Sequence, residues 1–428
     1  MIDPIQKLHG ELRLRGMTME ILDSEVRDGK FYYLKILNTE ELDLRLASLQ
    51  ELEILEVWTD SGDFVANGSM MHKLKILVLS SSGAAPMYYT SISESIDNFI
   101  GLETLDCQNN YIEKLSDAIG NLINLKNLSL SENQLTSLPD SIGNLINLRE
   151  LYLYENQLTS IPDSIGNLVN LEILYLEVNQ LTSLPDSIGN LVNLEILYLE
   201  VNQLTSLPDS IGNLINLQSL RLSENTLLTS IPDSIGNLVN LIDFGLGGSH
   251  ITSIPESFGN LINLQSLRLS ENTLLTSIPD SIGNRVNLKD LRLSNNQLTS
   301  LPDSIGNLVN LEILKLFNNQ LTSLPDSIGN LVNLEILKLF NNQLTSLPDS
   351  IGNLVNLKEL NLFNNQLTSL PDSIGNLVNL KELSLSENQL TSLPDSIGNL
   401  VNLESLATAR NPITSLPDSI SKLPKLRK

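Results

Sequence analysis

The sequence predicts an α/β solenoid, in which short strands stack into one parallel sheet and short helical turns return along the opposite side. One unit of about 23 residues recurs along roughly three quarters of the chain. Within each unit, leucines alternate with other residues, as in a short strand that points every second side chain inward. A proline-led segment then follows, as expected for a tight helical turn. A single unit cannot bury its own apolar side, so the units must stack.

The unit reads L-x-x-L-x-L-x-x-N-x-L-T-S-L-P-D-S-I-G-N-L-x-N. Fourteen copies follow one another at 23-residue intervals, apart from two intervals of 24. They start at Leu102, Leu125, Leu148, Leu171, Leu194, Leu217, Leu241, Leu264, Leu288, Leu311, Leu334, Leu357, Leu380 and Leu403.

The polar columns of the unit also predict structure. The ninth-position asparagine can donate and accept hydrogen bonds, so we expect it to satisfy backbone groups of the turn in a ladder between repeats. The proline fixes φ at the start of a helical or 3-10 turn, and the aspartate falls in its first turn, where negative charge is favourable. The aspartate column could instead bind calcium or a basic partner. One carboxylate per repeat does not make a calcium site, so a solvated column is the preferred interpretation.

Degenerate copies precede the regular ones. Residues 31–101 are interpreted as about three degenerate repeats, with strands near Phe31, Leu55 and Leu77 and an insert near SSGAAPMYY. Residues 1–30 would form an N-terminal cap, residues 102–420 hold the fourteen regular repeats, and residues 421–428 form a C-terminal cap or tail. Caps are expected because a terminal repeat otherwise leaves its core open to water.

The strand pattern L-x-x-L-x-L-x-x-N and the return segment L-P-x-x-I-G-x-L-x-x-L resemble the 23-residue class of leucine-rich repeats. This class includes intracellular Ras-binding scaffold proteins, plant intracellular Ras-group-related proteins and bacterial repeat proteins. The resemblance implies a horseshoe whose concave sheet binds other proteins. It does not identify the partner, because each member of the class has its own outward residues.

Composition excludes several classes of function. The net charge is −24, with 50 acidic and 26 basic residues, so a nucleic-acid partner is not expected. The first thirty residues lack an apolar signal-peptide core and no apolar run reaches about 18 residues, so membrane insertion is not expected. Cys107 is the single cysteine. These observations favour a cytoplasmic protein without a cofactor, for which a small-molecule ligand is not expected.

Catalytic residues are also scarce. The three histidines, His9, His72 and His250, lie in no catalytic motif. Cys107 occupies an inward leucine position, which predicts a buried structural thiol. Arg285 replaces a core leucine; we expect its stem to lie along the core with the guanidinium in solvent, the alternative being a loosened return segment. An enzyme is therefore not expected, and any chemistry would have to come from the first hundred residues.

The outward strand positions carry the candidate partner-binding residues, because they lie on the sheet face opposite the core. They form an aromatic patch with an acidic rim, a basic row and a second aromatic patch with lysines. In this order the residues are Tyr152, Tyr154, Tyr175 and Tyr198; Arg221, Arg268 and Arg292; and Phe317, Phe340 and Phe363 with Lys315 and Lys338. Exposed aromatic side chains with a charged rim are typical of protein interfaces.

Duplication is the alternative origin of these rows. Residues 311–333 and 334–356 are identical, and residues 171–193 differ from 194–216 at one position. Recent copying repeats a side chain whether or not it is used.

One repeat departs from the pattern on its outward side. The stretch FGLGGSHITS at 244–253 keeps inward Phe244 and Leu246 but carries Gly245, Gly247 and Gly248 at outward positions, followed by Ser249 and His250. One interpretation is a notch between Arg221 and Arg268 where a partner chain or an anionic group approaches the backbone. The other is a weak, flexible joint in the array.

The expected function is that of a non-enzymatic protein-binding scaffold or adaptor. The partner is a protein of unknown identity, bound on the concave face. The alternative is a bacterial cell-surface or host-interacting repeat protein, for which tandem duplication is a source of variation.

Overall fold

The computed structural model describes residues 8, 19–28, 30–38, 49, 51–59, 63–64, 71–81, 89–92 and 94–426. These residues belong to two compact units, which comprise residues 1–204 and 205–428. In each unit, short parallel strands form one sheet and 3-10 turns form the opposite side. The α/β solenoid expected from the sequence is confirmed.

The sheet of the first unit begins with a hairpin and continues with parallel strands. Strand β1 pairs antiparallel with β2, and β2 is followed in parallel by β3, β5 and β7 to β11, while β4 and β6 form a separate parallel pair. The strands are β1 (Met19–Arg27), β2 (Lys30–Asn38), β3 (Ile54–Thr59), β4 (Asp63–Phe64), β5 (Ile76–Ser81), β6 (Ser91–Ile92), β7 (Thr104–Asp106), β8 (Asn127–Ser129), β9 (Glu150–Tyr152), β10 (Ile173–Tyr175) and β11 (Ile196–Tyr198).

The second unit contains parallel strands of three residues each, one per repeat. Each strand pairs with its neighbour in sequence without a shift in register. They are β12 (Ser219–Arg221), β13 (Asp243–Gly245), β14 (Ser266–Arg268), β15 (Asp290–Arg292), β16 (Ile313–Lys315), β17 (Ile336–Lys338), β18 (Glu359–Asn361), β19 (Glu382–Ser384) and β20 (Ser405–Ala407).

The return segments form 3-10 helices of five residues, and from Pro139 onward a proline in extended conformation precedes each of them. As expected, an acidic residue begins the first turn from Asp117 onward. The helices span Glu94–Asn98, Asp117–Asn121, Asp140–Asn144, Asp163–Asn167 and Asp186–Asn190 in the first unit, and Asp209–Asn213, Asp233–Asn237, Glu256–Asn260, Asp280–Asn284, Asp303–Asn307, Asp326–Asn330, Asp349–Asn353, Asp372–Asn376, Asp395–Asn399 and Asp418–Lys422 in the second.

The ninth-position asparagines form the expected ladder. In the second unit, Asn342 Nδ2 donates to the carbonyl oxygens of Leu316 in the preceding repeat and Leu339 in its own repeat, both at 2.9 Å. Its Oδ1 accepts from the backbone N–H of Leu321 at 3.0 Å. One buried side chain therefore satisfies three backbone groups and joins two repeats.

A second asparagine ladder, which sequence analysis did not identify, lies on the opposite side of the array. Asn356, at the last position of its repeat, donates from Nδ2 to the carbonyl oxygen of Val332 at 2.9 Å, and Asn147 bonds to Ile123 at 2.8 Å. These bonds are exposed. The recurring N in the segment N-L-x-N was the available signal.

The proposed domain boundaries stay predictions, but several of their residues can be placed. Phe31, Leu55 and Leu77 belong to β2, β3 and β5, and their side chains are buried. Asn110 donates to the carbonyl oxygen of Leu79 and accepts from the N–H of Tyr89, so the ladder reaches the degenerate repeats. Most of the proposed N-terminal cap, residues 82–88 of the insert, and the last two residues of the C-terminal tail lie outside the described residues.

Two single-residue expectations have different outcomes. Cys107 is fully buried as expected, and burial raises the pKa of its thiol. The expectation that the Arg285 guanidinium reaches solvent is wrong, because the whole side chain is buried. Its Nη1 donates to the carbonyl oxygens of Ser281 and Ile282, and its guanidinium carbon lies 5.5 Å from the centre of the Phe258 ring. Desolvation lowers its pKa to about 10, and its Nε and Nη2 have no hydrogen-bond partner in the described chain.

Neighbouring 3-10 helices approach closely at the glycine of the D-S-I-G segment. A Cβ on Gly236 would lie 2.5 Å from the carbonyl oxygen of Ser257 and 2.7 Å from its Cβ. Real atoms do not approach so closely, and backbone cannot move away as a flexible side chain can. The spacing between repeats therefore requires glycine in this column.

We predict that Gly236→Ala destabilises the second unit. Overpacking costs about 1–3 kcal/mol, which exceeds the gain of up to about 1 kcal/mol from removing a helical glycine. The urea midpoint measured by circular dichroism should fall. Gly245→Ala is the matched control, because its Cβ would meet Arg221 and Ser223 at an ordinary 3.7 Å. Equal midpoints for the two variants would contradict the close-contact explanation.

Candidate functional site

The tyrosines of the first patch form one continuous row on the exposed face of the first unit. Tyr152, Tyr175 and Tyr198 occupy matching positions of β9, β10 and β11. The rings of Tyr152 and Tyr175 meet edge to face, with centres 5.2 Å apart, and those of Tyr175 and Tyr198 stack at 4.8 Å. Such ring pairs contribute about 0.5–1.5 kcal/mol beyond area burial. The row is thus a preformed aromatic surface.

Carboxylates hold two of the tyrosine hydroxyls. Tyr152 donates to Glu150 Oε2 at 2.8 Å, and Tyr154 donates to Glu132 Oε1 at 3.3 Å. Burial and the neighbouring carboxylates raise the pKa of both phenols. These tyrosines are therefore neutral hydrogen-bond donors at pH 7.

Two valines beside the tyrosine row are exposed and strained. Val178 and Val201 are 43% and 44% exposed, with φ of +53° and +55°. This left-handed conformation disfavours β-branched residues, and other repeats place asparagine, glutamate, arginine or glycine there. Valine is therefore less favourable for folding at this position than the residues of the other repeats.

A concavity of about 330 Å³ opens beside the row and has tyrosine walls. The fifth-position residues across β7 to β9 run Asp106, Ser129 and Tyr152 in register. The step from small side chains to a tyrosine creates the depression. We call it the tyrosine pocket; its lining includes Asp106 and Ser129, the smaller side chains, which we refer to as its floor, and Tyr152, Tyr154 and Tyr175, which we refer to as its wall.

The phenylalanine patch of the second unit includes a stacked pair. The rings of Phe317 and Phe340 are nearly parallel, with centres 4.3 Å apart, and Phe363 is half-buried in the next repeat. Lys315 and Lys338 occupy matching positions of β16 and β17. Burial and the nearby Arg292 lower the pKa of Lys315, while Lys338 pairs with Glu359 at 3.0 Å.

An exposed asparagine row, which sequence analysis did not single out, borders this patch. Asn341 donates to Asn318 at 2.6 Å, and Asn364 donates to Asn341 at 3.0 Å. These asparagines have positive φ, which asparagine tolerates better than most residues. The recurring N-N pair was the available signal.

The three arginines of the basic row are bound by aspartates. Arg221 Nε and Arg268 Nη1 both donate to Asp243, at 3.1 and 2.8 Å, and Arg292 donates to Asp290 at 2.8–3.1 Å. Gly245, which is buried, lies between the two arginines that converge on Asp243. An anion would therefore compete with Asp243 for these guanidinium groups.

The remaining residues of the FGLGGSHITS stretch interrupt the ladder. Ser249 replaces the asparagine and is buried, and its hydroxyl has no hydrogen-bond partner among the described residues. The Oδ1 of the next ladder residue, Asn272, likewise has none in the described chain. Gly248 has a φ of +65° and lies against the Glu224 carboxylate, while His250 Nδ1 contacts the carbonyl oxygen of Thr226. Whether this repeat bends or binds stays a prediction.

Metal and membrane sites are absent from the part of the chain that the structure describes. There, no group of three or more His, Cys, Asp or Glu residues is arranged to hold a metal ion. In the same residues, no helix has the length and apolar character needed to cross a membrane.

Comparison with protein families identifies the chain. A model described as a leucine-rich repeat region matches residues 102–203, 163–245 and 276–373, and two further leucine-rich-repeat models match residues 355–413 and 263–284. A solved leucine-rich-repeat protein of Leptospira interrogans is 35% identical with a TM-score of 0.75, and the match covers 90% of this chain and 92% of that one. The chain belongs to the leucine-rich-repeat family.

Other leucine-rich-repeat structures come from different kingdoms. The plant peptide hormone receptor RGFR1, solved in complex with RGF2, is 30% identical with a TM-score of 0.71, covering 94% of this chain and 70% of that one. An internalin (inlF) of Listeria monocytogenes is 25% identical with a TM-score of 0.60, covering 77% and 87%. Comparison with curated proteins gives no match.

The family explains the fold and leaves the partner open. Leucine-rich-repeat proteins are typically scaffolds for protein–protein interaction, and no catalytic family model is among the matches. The outward residues differ from one member to another, so the site must be argued from this chain.

Proposed function

We propose that this chain is a non-enzymatic scaffold or adaptor that binds a protein partner through the exposed face of its sheets, the face expected to be concave. The observation that supports this most strongly is the ordered aromatic surface of each unit, the tyrosine row in the first and the stacked Phe317 and Phe340 in the second. Aromatic side chains are enriched at the energetic centres of interfaces.

The tyrosine row supports the proposal through its rigidity. Tyr152 and Tyr154 are fixed by Glu150 and Glu132, so a partner would not have to immobilise them on binding. Exposed Val178 and Val201 add apolar area in a conformation that costs the fold about 1–3 kcal/mol each. Residues that are unfavourable for folding yet exposed are more readily explained by binding than by stability. Duplication remains the competing explanation of their repetition.

The basic row and the glycine repeat belong to the same proposal. Arg221, Arg268 and Arg292 are fixed by aspartates and would present oriented guanidinium groups to a partner. The interrupted ladder at Ser249 favours the interpretation of a weak joint over an open notch, because Gly245 is covered.

We predict that replacing Phe317, Phe340 and Phe363 together with alanine leaves the fold intact and weakens partner binding. These side chains lie on the sheet face away from the leucine core, and interface hot spots contribute at least about 2 kcal/mol, or about 30-fold in affinity. The measurement is titration of the protein captured by the wild-type chain.

The matched control replaces Val309, Val332 and Val355 with alanine. These valines are 42–44% exposed in the return segments of three repeats of the same unit. The three substitutions should leave both folding and binding unchanged. Equal affinity of the wild-type chain and the phenylalanine variant would remove the phenylalanine patch from the interface.

The cytoplasm is the proposed compartment, and a bacterial surface or host-interacting role is the second candidate. The similarity to a bacterial leucine-rich-repeat protein and to an internalin supports this second role. Fractionation of the source cells, with antibody detection, should find the protein in the cytosolic pool. Detection on intact, unpermeabilised cells would instead support the surface role.

A further inference from the structure

We propose that the tyrosine pocket of the first unit receives a basic side chain, preferably arginine, from a polypeptide partner. This inference rests on the proposed function, because it specifies the partner chemistry of one exposed sheet. It concerns a site distinct from the phenylalanine patch.

The size and shape of the pocket limit its occupant. At about 330 Å³ it lies at the lower end of the range of about 300–1,000 Å³ for small-molecule sites. It is too small for a folded element and has no arrangement of ligands for a metal ion. It is suited to one long side chain with its adjoining backbone.

The charge around the pocket selects a cation. Asp106 is at the floor, and Glu132 and Glu150 hold the hydroxyls of the tyrosine wall. No lysine or arginine in the described chain forms an ion pair with any of these three carboxylates. Asp106 accepts from the backbone N–H of Gln108 at 3.1 Å, and its burial raises its pKa. A cation at this position would stabilise the ionised carboxylate.

The aromatic walls favour arginine over lysine. A guanidinium is planar, stacks on aromatic faces and presents several donors at once, whereas an ammonium is a compact, strongly hydrated charge. Tyr152 and Tyr175 both line the pocket, and their rings are nearly perpendicular, at 83°. An arginine could stack on a tyrosine ring while donating to the carboxylate at the floor.

The pocket is also preorganised. Asn127 Nδ2 and the Tyr152 hydroxyl both donate to Glu150 Oε2, each at 2.8 Å. This network fixes the carboxylate and the ring before a ligand arrives. Binding would therefore require little ordering of the pocket, which is the condition for recognising a single side chain.

The experiment uses the full chain and a blocked pentapeptide, Gly-Gly-Arg-Gly-Gly, titrated by NMR. The comparison peptide carries citrulline, which keeps the shape of arginine without its charge. The arginine peptide should bind at least about tenfold more tightly, as expected for loss of charge-assisted hydrogen bonds. Equal binding of the two peptides would overturn the proposal.

Two substitutions separate the pocket from the general negative charge of the chain. Asp106→Asn keeps the acceptor for Gln108 but removes the charge at the floor, and should weaken arginine-peptide binding about tenfold. Asp140→Asn makes the same change in net charge at an exposed position, the start of a 3-10 helix, and should have no effect. Equal effects of both variants would show nonspecific attraction and refute the pocket.

The source of the cation is tested with blocked arginine amide alone. Tighter binding of the amide than of the pentapeptide would make the pocket a small-molecule site and refute the polypeptide partner. These outcomes are independent of the phenylalanine variant, which tests partner binding through the second unit. Failure of the peptide experiment therefore leaves the scaffold proposal intact.

Discussion

The asparagine at the ninth position of each repeat satisfies backbone groups that the end of each strand leaves buried, and the stacking of neighbouring repeats depends on this bonding. Asn342 shows the arrangement, with two carbonyl oxygens and one N–H bound by a single side chain. An unsatisfied buried backbone group costs about 1–3 kcal/mol, so the stacked arrangement requires the ladder. Where Ser249 replaces the asparagine, its hydroxyl and the Oδ1 of the next ladder residue, Asn272, have no hydrogen-bond partner in the described chain.

Because the ladder, the leucines and the close-contact glycines lie on the inward and return sides, the outward strand positions are free to vary. The two units use this freedom differently. The exposed sheet of the first unit combines tyrosines with carboxylates, whereas that of the second combines phenylalanines with lysines and with arginines bound to aspartates. The first surface suits a basic partner segment. The second suits an apolar segment, with polarity supplied by lysines.

Much of the fold could be predicted from the sequence, because repetition displays each inward column fourteen times. The exposed side was predictable as a set of residues but not as a set of contacts. Arg221 and Arg268 converge on Asp243 from the strands on either side of β13, and the tyrosine pocket lies where Ser129 and Tyr152 pair in adjacent strands; neither contact is visible in the repeat pattern. The burial of Arg285 depends on the space beside Phe258 and on two carbonyl oxygens, which no column pattern reveals.

The dependence of the fold on the buried ladder can be measured directly by comparing two asparagines of neighbouring repeats. Asn342→Ala would leave three buried backbone groups without this partner, whereas Asn356→Ala would break one exposed bond that water can replace. In urea unfolding of the full chain, we predict that Asn342→Ala lowers the midpoint by the equivalent of at least about 2 kcal/mol, and Asn356→Ala by less than about 1 kcal/mol. Equal, small shifts for the two variants would contradict this prediction.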